Sequence, residues 1–283
     1  MRDYTKPQTV KQLLQWAALF LGKEKRIEAE LLLARVSGYS RAKLLAYQDQ
    51  FLSVEQVNEF INFIESRKAG EPLQYLLGKQ NFMGLDFIVN KSVLIPRSDT
   101  EVLVEEVINL AGERKGPLKI LDLCTGSGAI AVSLAKYIPR AVVFATDISG
   151  EALEVAKNNA ELNKVSQRIE FFRGDLFKPV VGMDFDLIVS NPPYLSTKEM
   201  EDLPADVKKE PFIALWGGAD GLEFYRKIIN IGFDYLKSPG YLLVEIGWQQ
   251  GEKVKNLCLT RGFSQCSIIK DWANNDRVVK AKR

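Results

Sequence analysis

From residue 119 onward, this 283-residue chain alternates short apolar segments with amphipathic helical segments. Strands buried on both faces read as continuous apolar runs, and parallel neighbours need a helical crossover between them. The alternation therefore predicts an α/β domain with a mostly parallel, seven-stranded sheet between helices. Only the short polar segment 271–276 separates the last two strands, so we expect them to pair as an antiparallel edge hairpin. The predicted strands are residues 119–123, 141–147, 169–173, 186–190, 241–246, 263–270 and 277–282.

The first part of the chain has a different periodicity. Apolar residues recur at helical spacing over residues 9–69, and two segments begin with capping-box pairs, Thr9 with Gln12 and Ser53 with Gln56. We predict a small all-α bundle over residues 1–70. A hairpin-like segment with a glycine-centred turn follows, so residues 71–95 are predicted to be a hinge or β-hairpin linker, and residues 96–283 the sheet domain.

The chain contains no histidine, which excludes Ser-His-Asp and Cys-His mechanisms and removes the commonest metal ligand. Cys124, Cys258 and Cys266 form no Cys-x-x-Cys pair, so we predict neither a disulfide framework nor a metal site. The formal net charge of +2 gives no support for a nucleic-acid-binding surface. No signal core or membrane-length apolar run is present, so we expect a cytoplasmic location.

A glycine-rich turn, Cys124-Thr125-Gly126-Ser127-Gly128, follows the first predicted strand of the sheet. Glycine lets the backbone approach a ligand at this position of a Rossmann-like sheet. Asp147 ends the next strand 19 residues beyond Gly128, about where a carboxylate meets ribose hydroxyls. Asp175 and Leu176 follow the third strand and are predicted to contact an adenine ring. Together they indicate a nucleoside site for S-adenosylmethionine or NAD. The alternatives are a structural turn, a helix cap at Asp147 and an ordinary loop carboxylate at Asp175.

The fourth predicted strand leads into Asn191-Pro192-Pro193-Tyr194. Two prolines fix the backbone and remove amide donors, which leaves carbonyl oxygens available. We predict that the Asn191 side-chain oxygen and the Pro192 carbonyl accept the two N–H bonds of a planar amide or amine, while Tyr194 stacks on its plane. Two such acceptors favour a pyramidal, nucleophilic nitrogen without any histidine. A simple structural turn is the alternative.

Residues 122–128 and the Asn-Pro-Pro-Tyr segment together resemble the amino-methyltransferases that act on planar nitrogens. Three further strings are more specific: Glu-Pro-Leu-Gln-Tyr-Leu-Leu-Gly at 71–78, Ile-Pro-Arg-Ser-Asp-Thr-Glu at 95–101, and the segment from Glu-Pro to Gly-Gly-x-Asp-Gly-Leu at 210–222. Over essentially its whole length the chain is similar to the release factor glutamine methyltransferases, also called PrmC or HemK. It departs from the cofactor motif at Cys124, which stands where the motif has its first glycine.

The resemblance implies N5-methylation of the glutamine in the Gly-Gly-Gln loop of class-one peptide-chain release factors, with S-adenosylmethionine as cofactor. It implies that residues 124–128, Asp147, Leu176 and Asn191 line the cofactor and that residues 191–194 hold the glutamine. It also implies that the helical bundle docks the release factor. Arg97 and Thr100 would lie beside the cofactor, with the start of a helix as the alternative role for Thr100. We expect a monomer that requires neither metal nor nucleic acid.

Other functions remain open at this stage. A nucleic-acid adenine or guanine amino-methyltransferase would share the Asn-Pro-Pro-Tyr chemistry. The glycine turn also permits an NAD-dependent oxidoreductase, although no residue pattern for moving its proton is present, and a non-catalytic adaptor is a third possibility. Glu245 and Trp248, near the end of the fifth strand, fit equally well as site wall or as packing.

Overall fold

The computed structural model describes residues 8–283, and these form two compact units. The first comprises residues 8–78 together with Pro204–Lys209, and the second comprises Lys79–Leu203 and Glu210–Arg283. The division after Gly78 falls inside the segment 71–95 that the sequence assigns to a linker. A hinge role for that segment stays a prediction.

The first unit is helical, and both predicted capping boxes are present in it. The Thr9 hydroxyl accepts from the Gln12 amide at 3.3 Å, and the Gln12 side chain accepts from the Thr9 amide at 2.9 Å. Ser53 and Gln56 repeat the arrangement. Apolar side chains on the inner faces pack into one core, as the helical spacing predicts. Its elements are β1 (Gln8–Thr9), α1 (Val10–Leu21), α2 (Arg26–Ser37), α3 (Arg41–Ala46), β2 (Phe51–Leu52), α4 (Val54–Lys68) and α5 (Leu73–Leu77), with β1 and β2 antiparallel.

The second unit opens with a hairpin and continues as alternating strands and helices. Its strands are β3 (Lys79–Phe82), β4 (Leu85–Ile88), β5 (Leu118–Leu123), β6 (Ala141–Asp147), β7 (Ile169–Arg173), β8 (Phe185–Ser190), β9 (Leu236–Glu245), β10 (Gln265–Lys270) and β11 (Asp276–Lys282). Its helices are α6 (Glu101–Gly112), α7 (Ala129–Tyr137), α8 (Gly150–Leu162), α9 (Thr197–Glu201), α10 (Phe212–Leu215), α11 (Glu223–Tyr235) and α12 (Gly251–Arg261).

The sheet has the strand order β10-β11-β9-β8-β5-β6-β7. Strands β5 to β9 are parallel, while β11 runs antiparallel to both β9 and β10, so the predicted seven-stranded sheet with an antiparallel edge hairpin is confirmed. The chain builds outward from β5 to β7, then crosses to β8 and builds in the other direction. The carboxyl ends of β5 and β8 therefore meet at a topological switch point, where ligands of open α/β sheets bind.

Two large apolar clusters cover the two faces of this sheet. Strand β9 begins five residues earlier than the apolar pattern indicates, at Leu236 instead of residue 241, because Leu236 pairs with Phe185 across a register shift. The short helices α9 and α10 have no predicted counterpart, since segments of four or five residues carry too little periodicity to reveal a helix.

The predicted hairpin is present as β3 and β4, joined by Met83 and Gly84 at φ 51° and 70°. Two successive positive φ values are typical of the tight turns that match strand twist. The side chain of Asn159, buried in α8, holds this hairpin to the sheet: its Oδ1 accepts from the Ile88 amide at 2.6 Å, and its Nδ2 donates to the Ile88 carbonyl at 2.9 Å. The same Nδ2 donates to the Ser127 carbonyl at 2.9 Å, so Asn159 joins the hairpin to the glycine-rich turn.

Candidate active site

The glycine-rich turn after β5 has the backbone that the sequence predicts. Cys124, Gly126 and Gly128 have φ values of 59°, 54° and 77°, a region that glycine adopts more easily than any other residue. A Cβ at Gly128 would lie 3.0 Å from the Ala156 Cβ, so this glycine permits close packing of α8. A Cβ at Gly126 would meet nothing within 4 Å, because this glycine faces open space. Cys124 therefore keeps the glycine-like backbone of the motif from which it departs.

Asp122 connects the glycine-rich turn to strand β5. Its side chain is fully buried in β5, and its Oδ2 accepts from the Thr125 hydroxyl at 2.6 Å. Burial raises the pKa of Asp122 to about 7, although the bond from Thr125 opposes this shift. The Asp122 carboxyl is thus a structural group that ties the turn to the strand.

The raised pKa of Asp122 makes the stability of the protein depend on pH. An unfolded aspartate titrates near pH 4, so between about pH 4 and pH 7 the folded state binds more protons and stability falls as pH rises. Asp122→Asn keeps an acceptor for Thr125 and carries no charge. We expect the free energy of unfolding of the variant, relative to that of the parent, to rise between pH 5 and pH 8, by at most about 4 kcal/mol. Thermal denaturation of both proteins at pH 5 and pH 8 measures this difference. The same change in stability with pH in variant and parent would contradict the prediction.

Asp147 lies at the carboxyl end of β6 and shapes two backbone segments. Its Oδ2 accepts from the Gly126 amide at 2.8 Å and its Oδ1 accepts from the Ser149 amide at 2.9 Å. The N-cap of α8 is Ser149, whose hydroxyl accepts from the Ala152 amide, so capping of that helix does not depend on Asp147. Asp147 also lines a cavity at this edge of the sheet, and burial raises the pKa of its carboxyl.

Asp175 and Leu176 follow β7 and complete the same side of the site. Leu176 has φ 49° and is buried at the cavity wall, so it presents an apolar surface there. Asp175 also lines the cavity, and its carboxylate is paired with Lys178 at 2.8 Å.

A cavity of about 340 Å³ lies at the switch point, within the size range of small-molecule sites. The structure brings most of the predicted site residues to its wall, but not Gly128, Pro192 or Tyr194. The predicted residues that line it are Cys124, Thr125, Gly126, Ser127, Asp147, Asp175, Leu176, Asn191 and Pro193. Backbone amides, two carboxylates and an apolar side chain thus converge in one space.

The Asn191-Pro192-Pro193-Tyr194 segment follows β8 at the other side of this cavity. The Asn191 Nδ2 donates to the Thr100 hydroxyl oxygen at 3.2 Å, which directs its amide oxygen elsewhere. Across residues 8–283, no donor is hydrogen-bonded to the Asn191 Oδ1 or to the Pro192 carbonyl. Both predicted acceptors therefore have no hydrogen-bond donor in the part of the chain that the structure describes. The Tyr194 ring packs against Gly247, and burial raises the pKa of its hydroxyl.

Sequence reasoning gave no role to the residues that hold this segment in place. The Gln250 Nε2 donates to the Tyr194 carbonyl at 2.9 Å, while its Oε1 accepts from the Gly247 amide at 3.0 Å and the Tyr225 hydroxyl at 3.2 Å. The Gly217 amide donates to the Leu195 carbonyl at 2.8 Å. A Cβ at Gly217 would lie 2.7 Å from the Pro193 carbonyl oxygen. The glycines of segment 217–221 were visible as a motif, whereas nothing in the sequence marked Gln250.

Arg97 and Thr100 occupy different places. Thr100 is buried and lines the cavity; it also immediately precedes α6, at the position that the alternative helix-start role requires, but its side chain makes no cap hydrogen bond there. Arg97 does not line the cavity; it is paired with the buried Glu210, whose Oε2 also accepts from the Ile95 amide at 3.0 Å. Glu245 is buried at the end of β9, and Trp248 is 61% exposed.

Comparison with known proteins agrees with this architecture. Residues 12–78 match the PrmC N-terminal domain, and residues 98–207 match the Methyltransferase small domain. A solved methyltransferase from Pyrococcus furiosus shares the fold, with 20% identity, a TM-score of 0.53, and coverage of 81% of this chain and 98% of that one. Fold and site together define a Rossmann-like methyltransferase.

Comparison with curated relatives identifies the family within this class of methyltransferases. The chain is 45% identical over 262 residues to the release factor glutamine methyltransferase of Moorella thermoacetica, with 91% of each chain covered. It is 42% identical over 276 residues to that of Geobacter sulfurreducens, with 96% of this chain and 95% of the relative covered. The chain belongs to the release factor glutamine methyltransferase family, as the motifs in its sequence predict.

Among residues 8–283, no helix has both the length and the apolar character needed to span a bilayer. The same residues contain no cluster of three potential acidic, cysteine or histidine ligands for a metal ion.

Proposed function

We propose that this protein methylates N5 of the glutamine in the Gly-Gly-Gln loop of class-one release factors, with S-adenosylmethionine as methyl donor. The observation that carries the proposal is a pair of oxygens in consecutive residues, Asn191 Oδ1 and the Pro192 carbonyl, that have no hydrogen-bond donor among residues 8–283; Asn191 lines the cavity, whereas Pro192 does not. A primary carboxamide has two N–H donors, which is the number of acceptors that this segment offers.

The residues of the cavity fit S-adenosylmethionine. Gly126 leaves open space where any side chain would intrude, and the Asp147 carboxylate at the end of β6 suits ribose hydroxyls. Asp175 and Leu176 suit the amino group and the face of an adenine. When bound, this cofactor supplies a methyl group that needs no further activation. We propose that residues 124–128, Asp147, Asp175, Leu176 and Asn191 hold it.

On the substrate side, the chain's own residues orient an amide. The lone pair of an amide nitrogen is delocalised, so the nitrogen is a poor nucleophile. If Asn191 Oδ1 and the Pro192 carbonyl accept its two hydrogens, they hold the nitrogen in place and favour a pyramidal geometry that localises the lone pair. Pro192 and Pro193 keep this corner rigid, so orientation costs little when the substrate arrives. Tyr194 is proposed to contact the plane of the amide.

Mass spectrometry of a purified class-one release factor tests the proposal. After incubation with the protein and S-adenosylmethionine, we expect one added methyl group on the loop glutamine. Duplex DNA and ribosomal RNA incubated in parallel with labelled cofactor should remain unlabelled. Label that appears only in nucleic acid would instead establish the amino-methyltransferase that acts on bases.

Isothermal titration separates the cofactor alternatives. We expect saturable binding of S-adenosylmethionine and no heat with NADH at the same concentrations. Binding of NADH alone would favour the oxidoreductase.

We further propose that the helical unit, within residues 1–70, docks the release factor and that segment 71–95 is its hinge. The family assignment and the weak net charge of the chain support a protein partner over nucleic acid. A monomeric, cytoplasmic enzyme suits a substrate of the translation machinery.

A further inference from the structure

Three side chains from separate elements meet behind the Asn-Pro-Pro-Tyr segment. The Asn191 Nδ2 donates to the Thr100 hydroxyl oxygen at 3.2 Å. Thr100 immediately precedes α6 and is 4% exposed, and its side chain lies close enough to the Glu245 carboxyl, which is 1% exposed, to lower the pKa of that carboxyl. Glu245 ends β9, next to β8, so the sheet itself places it beside Asn191.

The direction of each hydrogen bond among Asn191, Thr100 and Glu245 matters for the proposed chemistry. A carboxamide has an acceptor oxygen and a donor nitrogen, and a 180° rotation exchanges them. Only one orientation of Asn191 offers an oxygen to a substrate amide. An ionised carboxylate accepts hydrogen bonds but donates none, so a hydrogen bond between Thr100 and ionised Glu245 can only have the threonine hydroxyl as its donor. Its oxygen then accepts from the Asn191 Nδ2, which turns the Asn191 Oδ1 toward the cavity.

We propose that Thr100 is a positioning residue that fixes the orientation of the Asn191 amide, and that ionised Glu245 sets the direction of the Thr100 hydroxyl. This inference rests on the proposed function. It assigns neither residue a contact with the transferred methyl group. It explains why a buried carboxyl stands behind the site: that carboxyl selects one of two hydrogen-bond directions.

The surroundings of Glu245 make this selection depend on pH. Arg277 and Arg97 face it with positive charge, Asp99 faces it with negative charge, and the hydroxyls of Tyr194 and Tyr225 lie close enough to interact with it. Its Oε2 has no hydrogen-bond partner among residues 8–283. Burial outweighs the two arginines and Thr100 and raises the pKa of Glu245 to about 7. Below that pH the carboxyl is protonated and can donate a hydrogen bond to Thr100. The Thr100 hydroxyl can then donate to Asn191, so the direction of both hydrogen bonds is reversed.

Threonine variants test the positioning role. Thr100→Val keeps the shape and removes the hydroxyl, and we expect kcat for release factor methylation to fall about tenfold to a hundredfold. The KM for the release factor and the Kd for S-adenosylmethionine should change less than about threefold, since packing is kept. Thr100→Ser restores the hydroxyl and should restore kcat to within about threefold of the parent. Ser133→Ala, which removes a buried hydroxyl without a hydrogen-bond partner from α7, is the matched control and should match the parent.

Glu245→Gln gives a second test that does not depend on how the threonine variants fold. We expect kcat of the parent to fall as pH drops below about 7, because Glu245 becomes protonated. In Glu245→Gln this acid limb should be absent between pH 5.5 and 8. Asp122→Asn, which removes the other buried carboxyl with a pKa near 7, should keep the limb.

The outcomes separate the two proposals. If the parent adds no methyl group to the release factor glutamine, the proposed function fails and this inference fails with it. If the parent methylates and Thr100→Val has the same kcat, or Thr100→Ser is impaired equally, the positioning role alone is wrong. An acid limb that persists in Glu245→Gln would overturn the part assigned to Glu245.

Discussion

Replacing Asn191 with alanine is expected to reduce methyl transfer to the release factor by about 10³-fold, to the limit of detection in most assays. The variant loses the amide oxygen that we propose to hold one N–H of the substrate, while the Pro192 carbonyl remains. Affinity for S-adenosylmethionine should be reduced but measurable, because Asn191 lines only one side of the cavity. Single-turnover methylation and isothermal titration measure the two effects separately.

The matched control for this variant is Asn163→Ala. The Asn163 side chain donates to the Asp86 carbonyl at 3.0 Å and lies outside the cavity, so its loss should leave turnover close to that of the parent. Turnover of Asn191→Ala near the parent rate would contradict the role assigned to Asn191.

Replacing Gly221 with alanine is expected to lower methyl transfer by about 10²-fold or more and to destabilise the fold by several kcal/mol. Gly221 has φ 72°, and a Cβ there would lie 2.8 Å from the Gln250 Nε2 and closer still to the Tyr194 carbonyl oxygen. These are the two groups whose hydrogen bond holds the end of the Asn-Pro-Pro-Tyr segment. The added methyl group must therefore displace that segment. Thermal denaturation and methylation assays measure the two losses.

Gly182→Ala separates backbone strain from this collision. Gly182 has φ 82°, close to the value at Gly221, and a Cβ there would meet nothing within 4 Å. The positive φ alone should cost about 1 kcal/mol of stability, with turnover unchanged. If both variants lost activity to the same extent, the close approach at Gly221 would not be the cause.

Much of the fold follows from local patterns in the sequence. Thr9 and Ser53 cap helices because each has a partner three residues away, and the strands ending at Leu123 and Ser190 are apolar because helices cover both faces of the sheet. The register shift that pairs Leu236 with Phe185 was not predictable in this way. It depends on contacts between segments fifty residues apart, which no periodicity records.

The candidate site likewise contains residues that were predictable from the sequence and residues that were not. Residues at strand ends, such as Gly126, Asp147 and Asn191, were predictable because parallel strands bring their carboxyl ends to one edge. Gln250 was not predictable, since a glutamine after β9 has no special pattern, and its role arises only where the segments containing Tyr194 and Gly247 meet Tyr225 of α11. The positioning role that we propose for Thr100 depends on Asn191 and Glu245, which are far from it in sequence.

The bridge formed by Asn159 has an evolutionary consequence. Its amide contacts only main-chain atoms of Ile88 and Ser127, so it recognises the path of the chain and ignores which side chains stand there. Substitutions at positions 88 and 127 during evolution would therefore leave this bridge intact as long as residue 88 keeps its backbone amide, although Ser127 also lines the cavity. A deletion in the hairpin would instead move the main chain of residue 88 away from Asn159, and Asn159 would then no longer join the hairpin to the glycine-rich turn.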